Sequence, residues 1–424
     1  MSRSRAFATV AIFALVSAAG IASEAAVAPQ VKLQGTPTSS SARLLVSSGT
    51  AIRAYVEYGT SRGNYPKRTG TVAVAAKRTA GITLSDLPSA STIFYRLRYA
   101  SSTAKTFLAL PERTFRTAVP ANPSTFAIEA DPHMDENSSA DVFRNTLQQV
   151  LKAEPAFLLD LGDIWMVDKL QQKTEANIRA RFQLMKDFYS VLDGRVPLKI
   201  ALGNHDGELG YSKFNTKSYR AEYFPGQTSE LAYYSFTGPD SLFVVLDPFT
   251  YTTSNPAADG WAWTLGKTQY DWLKQTLSSS TAKHKFVFIH HLLQGDAASR
   301  GGIEIAKFNE WGGYNRNGSY GFDEKRPGWG KPVHQLLLDN HVDFVFKGHD
   351  HIYVHQELDG IVYQTLPQPS HPGEKVNPMQ YGYAAGKAVG GSGFLKVTTS
   401  DTDVRVQFVK DDGSIADEYA KPAA

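Results

Sequence analysis

The stretch that decides the fold is Val196-Pro197-Leu198-Lys199-Ile200-Ala201-Leu202-Gly203-Asn204-His205-Asp206, an apolar run that stops abruptly in glycine, amide, imidazole and carboxylate. The run reads as a buried strand. Its polar end falls at the carboxyl edge, where open α/β sheets bind ligands. The arrangement recurs: Phe126–Ala130 precedes Asp131, Pro132 and His133, and Ala156–Leu161 precedes Gly162 and Asp163. Phe286–Ile289 precedes His290 and His291, and Phe344–Phe346 leads into Lys347, Gly348, His349, Asp350 and His351. A single histidine after an apolar strand is ordinarily a satisfied core or rim residue. Five such ends in one chain point to a metal site.

Between these ends the period changes. Asp141–Ala153 reads as a helix with Val142, Leu147, Val150 and Leu151 as its buried stripe. Lys169–Leu192 reads as a longer one with Ile178, Phe182, Met185, Phe188, Tyr189 and Leu192 inward, and Thr268–Leu277 and Pro332–Asn340 as two more. Leu231–Phe236 and Ser241–Leu246 form a hairpin about Thr237, Gly238, Pro239 and Asp240. Strands alternating with helices predict an α/β layered domain over residues 120–424. Leu292–Gly330 has little periodicity, and Phe308, Trp311, Tyr314, Tyr320, Phe322 and Trp329 predict that it is an ordered lid. Arg300, Arg316, Lys325 and Arg326 in it are candidates for clasping a phosphate.

Residues 29–119 read differently, as short β-rich runs separated by Gly, Ser, Thr and Pro, which predicts a small all-β sandwich of Ig/fibronectin-III-like size. Thr117–Pro123 is the expected linker. Two domains suit a chain of 424 residues. At the start, Arg3 and Arg5 precede an Ala-rich apolar run, Ala6–Ala22, and small residues up to Ala28. This predicts a cleaved Sec-type signal peptide over residues 1–28 and a secreted or periplasmic protein. The run is short and rich in small residues for a membrane anchor, and no second long apolar run predicts a span in the mature chain. A net charge of +3 gives no sign of a nucleic-acid surface. The chain has no cysteine, which excludes disulfides, thiolate metal sites and a cysteine nucleophile.

Any metal must therefore be held by His, Asp and Asn. Asp131, His133, Asp163, Asn204, His290, His349 and His351 suit hard or borderline divalent cations. They suffice for two cations if one carboxylate bridges, and Asp163 is the natural bridge. His205 is free to protonate a leaving group or bind a phosphate oxygen, and Asp206 is placed to orient it. His291 reads as a support to its neighbour. His284, His334, His341, His355 and His371 read as surface or packing residues.

The order Asp-x-His, Gly-Asp, Gly-Asn-His-Asp, strand-terminal His and Gly-His-x-His, from Asp131 to His351, closely resembles the calcineurin-like metallophosphoesterase superfamily. The preceding β domain and Val287-Phe288-Ile289-His290 also resemble purple acid phosphatases. Met166 stands where those enzymes carry a tyrosine iron ligand, so a purple colour is not expected. The resemblance implies a four-layer α/β/β/α sandwich and two divalent or mixed-valence ions, such as Mn, Fe or Zn. One would take Asp131, His133, Asp163 and His351, and the other Asp163, Asn204, His290 and His349. It further implies in-line attack of a metal-bridging hydroxide on a small-molecule or exposed phosphoester. The expected function is an exported phosphomonoesterase. The alternatives are a phosphodiesterase acting on nucleotides or lipid head groups, with the 292–330 loop deciding, and a non-catalytic binding module. A degenerate core should have lost ligands, and none is missing.

Overall fold

Phe126 and Ile128, Phe286 and Phe288, and Phe344 and Phe346 alternate along three strands, and this period of two turns the rings to one face of each strand. Those faces meet in a core that also takes in Phe157, Leu159, Phe243 and Val245. The Phe126 ring lies 5.3 Å from Phe157, 5.1 Å from Phe243 and 5.2 Å from Phe286, centroid to centroid. The strands belong to two sheets packed face to face. In one, the order is Leu198–Ile200, Leu158–Asp160, Ser124–Glu129, Gly393–Thr399, Asp403–Lys410 and Ile415–Pro422, with the first three parallel. The other runs Tyr234–Gly238, Ser241–Val245, His284–Ile289, Phe344–Lys347, Ile361–Thr365, Tyr353–Leu358 and Lys387–Val389. Its second to fifth strands are parallel.

This is a computed structural model, and it describes residues 28–37, 41–85, 87–88, 91–118, 124–207, 217–224, 232–253, 260–293, 300–373 and 376–423. The expected leader lies almost wholly outside the described residues, and so do residues 119–123 of the expected linker.

Helices cover the outer faces, completing the α/β/β/α order. Ala140–Ala153 begins at Ser139, whose hydroxyl accepts the Val142 N–H, and it packs on Gly393–Thr399. Its buried stripe is Phe143, Thr146, Leu147 and Val150, with the expected Val142 and Leu151 only half-buried. Gly266–Ser278 is tied to the second sheet by Gln269, which bonds to both the N–H and the carbonyl of Asp247. The expected helix over Lys169–Leu192 starts only at Glu175, where Thr174 accepts the Asn177 N–H. Lys169 instead ends a short 3-10 turn, Val167–Lys169.

Of the stretch expected as a lid, described here over 292–293 and 300–330, Trp311, Phe322 and Trp329 join the core, whereas Tyr314 and Tyr320 are exposed. Three short helices, Ile303–Ala306, Asn309–Gly312 and Phe322–Lys325, bury Trp311 and Phe322 completely and Trp329 nearly so. Large rings stabilise more when buried than when covering a solvent-filled mouth. Trp311 also donates to the Tyr363 hydroxyl at 2.9 Å.

Before Ser124 the described residues form antiparallel strands only. Gln30–Gln34, Ala42–Ser48 and Arg78–Leu84 make one sheet, and Ile52–Gly59 and Thr92–Ser101 are the main pair of the other. Leu44, Val46, Ala54, Val56, Ile93 and Leu97 fill the space between. Arg78–Leu84, in which Ala80, Ile82 and Leu84 turn inward, and Ile415–Pro422, which lacks a clear apolar alternation, were not read as strands from the sequence.

Phe126 sits where rings from both sheets converge. Phe126→Ala should lower the free energy of unfolding by about 3–5 kcal/mol. A loss under about 1 kcal/mol in urea denaturation would show that the two sheets do not depend on this contact.

Candidate metal centre

All five polar strand ends come together at the carboxyl edges of the two parallel blocks. Asp131, His133, Asp163 and Asn204 come from the first sheet, and His290, His349 and His351 from the second. Their donor atoms fall into two groups. Asp131, His133 and His351 form one, and Asp163, His290 and His349 the other, with donors in each group within 4.8 Å of one another.

Backbone geometry aims these side chains. Asp131, His133, Asp163, His349 and His351 all adopt positive φ, between 53° and 73°. A non-glycine residue there costs on the order of 1–3 kcal/mol. The loops are packed tightly enough to enforce it. A β-carbon on Gly203 would lie 2.2 Å from the Asp163 nitrogen, and one on Gly348 would lie 2.6 Å from Asp131 Oδ2. Only glycine allows these approaches.

Hydrogen bonds then fix which atoms face inward. Asp131 Oδ2 accepts the His349 N–H at 2.7 Å, joining the two sheets, and leaves Oδ1 toward the centre. Asp163 Oδ1 accepts the His205 N–H at 2.8 Å. Its Oδ2 stands 3.6 Å from His133 Nε2 and 3.3 Å from His290 Nε2, one histidine from each group. His133 Nδ1 donates to Asp135 at 3.1 Å and His290 Nδ1 to the Leu161 carbonyl at 2.9 Å, because carboxylate and carbonyl can only accept. A cation replacing the Nε2 proton would therefore meet a lone pair from each ring, aimed at the centre. Asn204 Oδ1 lies 3.1 Å from His290 Nε2.

These residues fit a cation. Asp131 Oδ1 and His133 Nε2 are buried without a hydrogen-bond partner, 3.9 Å apart. Buried polar atoms left so are costly unless something else satisfies them. Burial opposes charge on His133 and His290, yet the neighbouring carboxylates outweigh it and raise them to about 10 and about 9. Burial and the neighbouring cationic side chains hold His349 and His351 well below the ordinary histidine value, so they are neutral donors. His291 is fully buried and pushed down to about 3, chiefly by burial, with its Nδ1 donating to the Leu292 carbonyl.

Asp206 does not orient His205. Its carboxylate accepts the N–H groups of Gly203 and Asp163 on Oδ2 and those of Ile164 and Trp165 on Oδ1, at 2.8 to 3.0 Å. The residue against His205 is Asp168, whose Oδ2 is 2.8 Å from Nδ1. Asp168 reaches it because the turn at Val167–Lys169 replaces the first turn of the expected helix, and Val167 N–H donates to the His205 carbonyl. Spacing along the chain gave no sign of this pair.

The centre opens into a cavity of about 1070 Å³, which His133, Asp163, His205, His349 and His351 help to line. Of the four basic residues proposed for a phosphate clasp, only Arg300 lines it. Arg300 donates to the His349 carbonyl at 3.0 Å, lies 3.5 Å from Asp350 Oδ1 and stacks on Tyr381. Arg316 stacks on Phe308, Lys325 lies beside Glu324, and Arg326 bonds to buried Glu310. His371, read from sequence as a surface or packing residue, also lines the cavity.

A family model described as calcineurin-like phosphoesterase matches residues 124–353. Among solved structures, that of PhoD is similar with a TM-score of 0.58 at 13% identity, covering 92% of this chain and 88% of PhoD. GAP50, the anchor in the inner membrane complex of Plasmodium, is similar with a TM-score of 0.47 at 17% identity, covering 72% of this chain and 90% of that one. A comparison with curated proteins found no match.

Removing the Asp206 carboxylate strands four buried N–H groups and releases the Asp163 loop. Asp206→Ala should cost about 3 kcal/mol or more and lower the metal content of the folded protein. Full stability and metal content by calorimetry and elemental analysis would count against the clamp.

Proposed function

The chain belongs to the calcineurin-like phosphoesterases, and on that premise we propose that it is an exported, dinuclear metal-dependent phosphomonoesterase. The family makes it a metal-dependent hydrolase of phosphoesters. The observation that carries the finer reading is the convergence of two three-residue donor groups on one cavity that also receives His205 and Arg300.

The ligands of one ion would be Asp131, His133, Asp163 and His351, and those of the other Asp163, Asn204, His290 and His349. Asp163 Oδ2, between a histidine of each group, suits the bridge. Bound cations would supply Lewis acidity to a phosphoryl oxygen and lower the pKa of an attacking water. Mn, Fe and Zn all accept such ligands.

The chain's own residues supply the rest. His205 bonds to Asp168 through Nδ1, which leaves Nε2–H to protonate the departing oxygen. Burial works against the charge, but Asp163 and Asp168 hold the imidazole above its ordinary value, so the acid form persists. Arg300, fixed by Asp350 and the His349 carbonyl, is placed to bind a non-bridging oxygen. A monoester dianion needs such additional positive charge, and Lys169 lines the same cavity. A diester is the second reading, favoured by a cavity much larger than one phosphate.

Export rests on residues 1–28 as a removed leader, before a β-sandwich over 29–119 and the catalytic domain over 120–424. No helix among the described residues is long and apolar enough to cross a membrane.

Purified protein should carry close to two metal ions per chain by elemental analysis, and Asp163→Asn should lose both together. The wild type should hydrolyse 4-nitrophenyl phosphate faster than bis(4-nitrophenyl) phosphate. The reverse order would move the diester reading ahead, and turnover of neither after loading with Mn, Fe or Zn would remove the hydrolase reading.

His205→Ala should reduce kcat at least about a hundredfold with metal content retained, and more for an alkyl ester than for the 4-nitrophenyl ester, whose leaving group needs no proton. Asp168→Asn should lower kcat about tenfold in the same direction. Equal losses on both esters would take His205 out of the role of acid.

A further inference from the structure

Charge is divided unevenly along the chain. Residues 29–119 hold thirteen Lys and Arg against three Asp and Glu, a net +10, whereas residues 120–424 hold 29 against 37, a net −8. The +3 of the whole chain is largely the remainder of these two and conceals a strongly basic β-sandwich. The excess is mostly guanidinium: nine of the thirteen are Arg, against nine of 29 in the rest.

The fold gathers part of this charge on one face. Along Thr92–Ser101 the period of two turns Ile93, Tyr95 and Leu97 inward and Arg96 and Arg98 outward. Their partners on Ile52–Gly59 are Glu57 and Tyr55, with Arg68 opposite Glu57 on its other side and Arg53 two residues before Tyr55. Aromatic rings hold the guanidiniums in place. Arg53 lies over Phe107 at 5.3 Å, Arg68 over Tyr55 at 5.7 Å and Arg96 over Tyr65 at 4.5 Å, measured to ring centroids. A guanidinium stacked in this way keeps its N–H groups at its rim, where they match a phosphate. Arg53 and Arg98 each donate one N–H to a carbonyl, of Ala104 and Phe107, which fixes them without neutralising them. Glu57 is committed to Arg96 and Glu112 to Tyr65. Among the described residues no carboxylate lies within 4.0 Å of Arg53, Arg68, Arg98 or exposed Lys105.

Several uncompensated cations on one sheet face call for a polyanion. A lipid surface fits poorly, because the rings here are half-buried under guanidiniums and have nothing to insert, and exposed Leu108 pairs with Tyr99 on the opposite face. The predominance of Arg favours phosphates. Four strands are too broad for a duplex groove, which admits one helix or a two-stranded ribbon, whereas a single strand can bend along them. We infer that the outer face of Ile52–Gly59 and Thr92–Ser101 is a docking surface for single-stranded nucleic acid, whose phosphates lie on Arg53, Arg68, Arg98 and Lys105. The acidic remainder of the chain repels the same polymer and confines it to the sandwich. This surface goes beyond the hydrolase reading and does not depend on it.

The purified full chain should bind an oligothymidylate of about 20 nucleotides with a Kd of about 1–100 µM near 150 mM salt. Without terminal phosphates, this probe gives a phosphomonoesterase nothing to cleave. In fluorescence anisotropy log Kd should rise with log salt with a slope of about 3, at about 0.7 for each cation engaged. Arg68→Glu with Lys105→Glu, both at exposed positions, should weaken binding at least about tenfold and roughly halve the slope, with Tm unchanged. Lys274→Glu with Lys307→Glu, an equal change of charge at exposed positions outside the sandwich, should leave Kd within about threefold. No binding at about 50 mM salt, or binding that the first pair leaves alone or the second weakens as much, would overturn the surface. Tighter binding of a sulfated polysaccharide of equal charge, or of phosphatidylglycerol vesicles, would overturn nucleic acid as its partner.

Discussion

The Asp206 carboxylate takes one N–H from its own loop and three from the loop that follows Leu158–Asp160. Each carries only a partial positive charge, and together they offset part of the desolvation cost of a carboxylate that burial still pushes up to about 7. What it holds is the distance between two strand ends. Gly203 then sits against Asp163, Asp163 keeps one oxygen on the His205 N–H, and its other oxygen is left between His133 and His290. A comparable tie, Asp131 to the His349 N–H, joins the first sheet to the second. The positions of the donor atoms follow from these two carboxylates acting on backbone, before any donor meets a cation.

Positive φ at five of the seven expected ligands has the same origin. A strand delivers side chains alternately to its two faces, whereas a site at a sheet edge needs them directed forward off the end. A single left-handed residue achieves that turn. The cost in conformational energy at each is offset by hydrogen bonds such as Asp131 N–H to the Gly162 carbonyl and His133 N–H to the Asp163 carbonyl. Donor groups held this way lose little further freedom when they bind a ligand, which is the benefit of preorganisation.

The α/β order and the donor set were legible because they rest on local pattern: an apolar run followed by a metal-type side chain, repeated. Partnerships across the fold were not. Asp206 follows His205 directly and invited pairing with it, yet adjacent residues here point apart, and Asp168, far back in the chain, meets the imidazole. The aromatics of 292–330 were read as a lid since their spacing has no period, but short helices bury rings without one, as Trp311 and Phe322 do. Arg300 was one of four equivalent basic residues in the sequence. Its distinction comes from Asp350 and the His349 carbonyl, which are remote in the chain and adjacent in space.

Because the donors are divided between two sheets whose faces otherwise meet through hydrocarbon rings, an ion held there would act as a rivet across the sandwich. Separating the sheets would require expelling it, so ligation and cohesion become one thermodynamic quantity. With no cysteine to supply a covalent cross-link, the durability of this chain would follow the trace-metal supply of its surroundings.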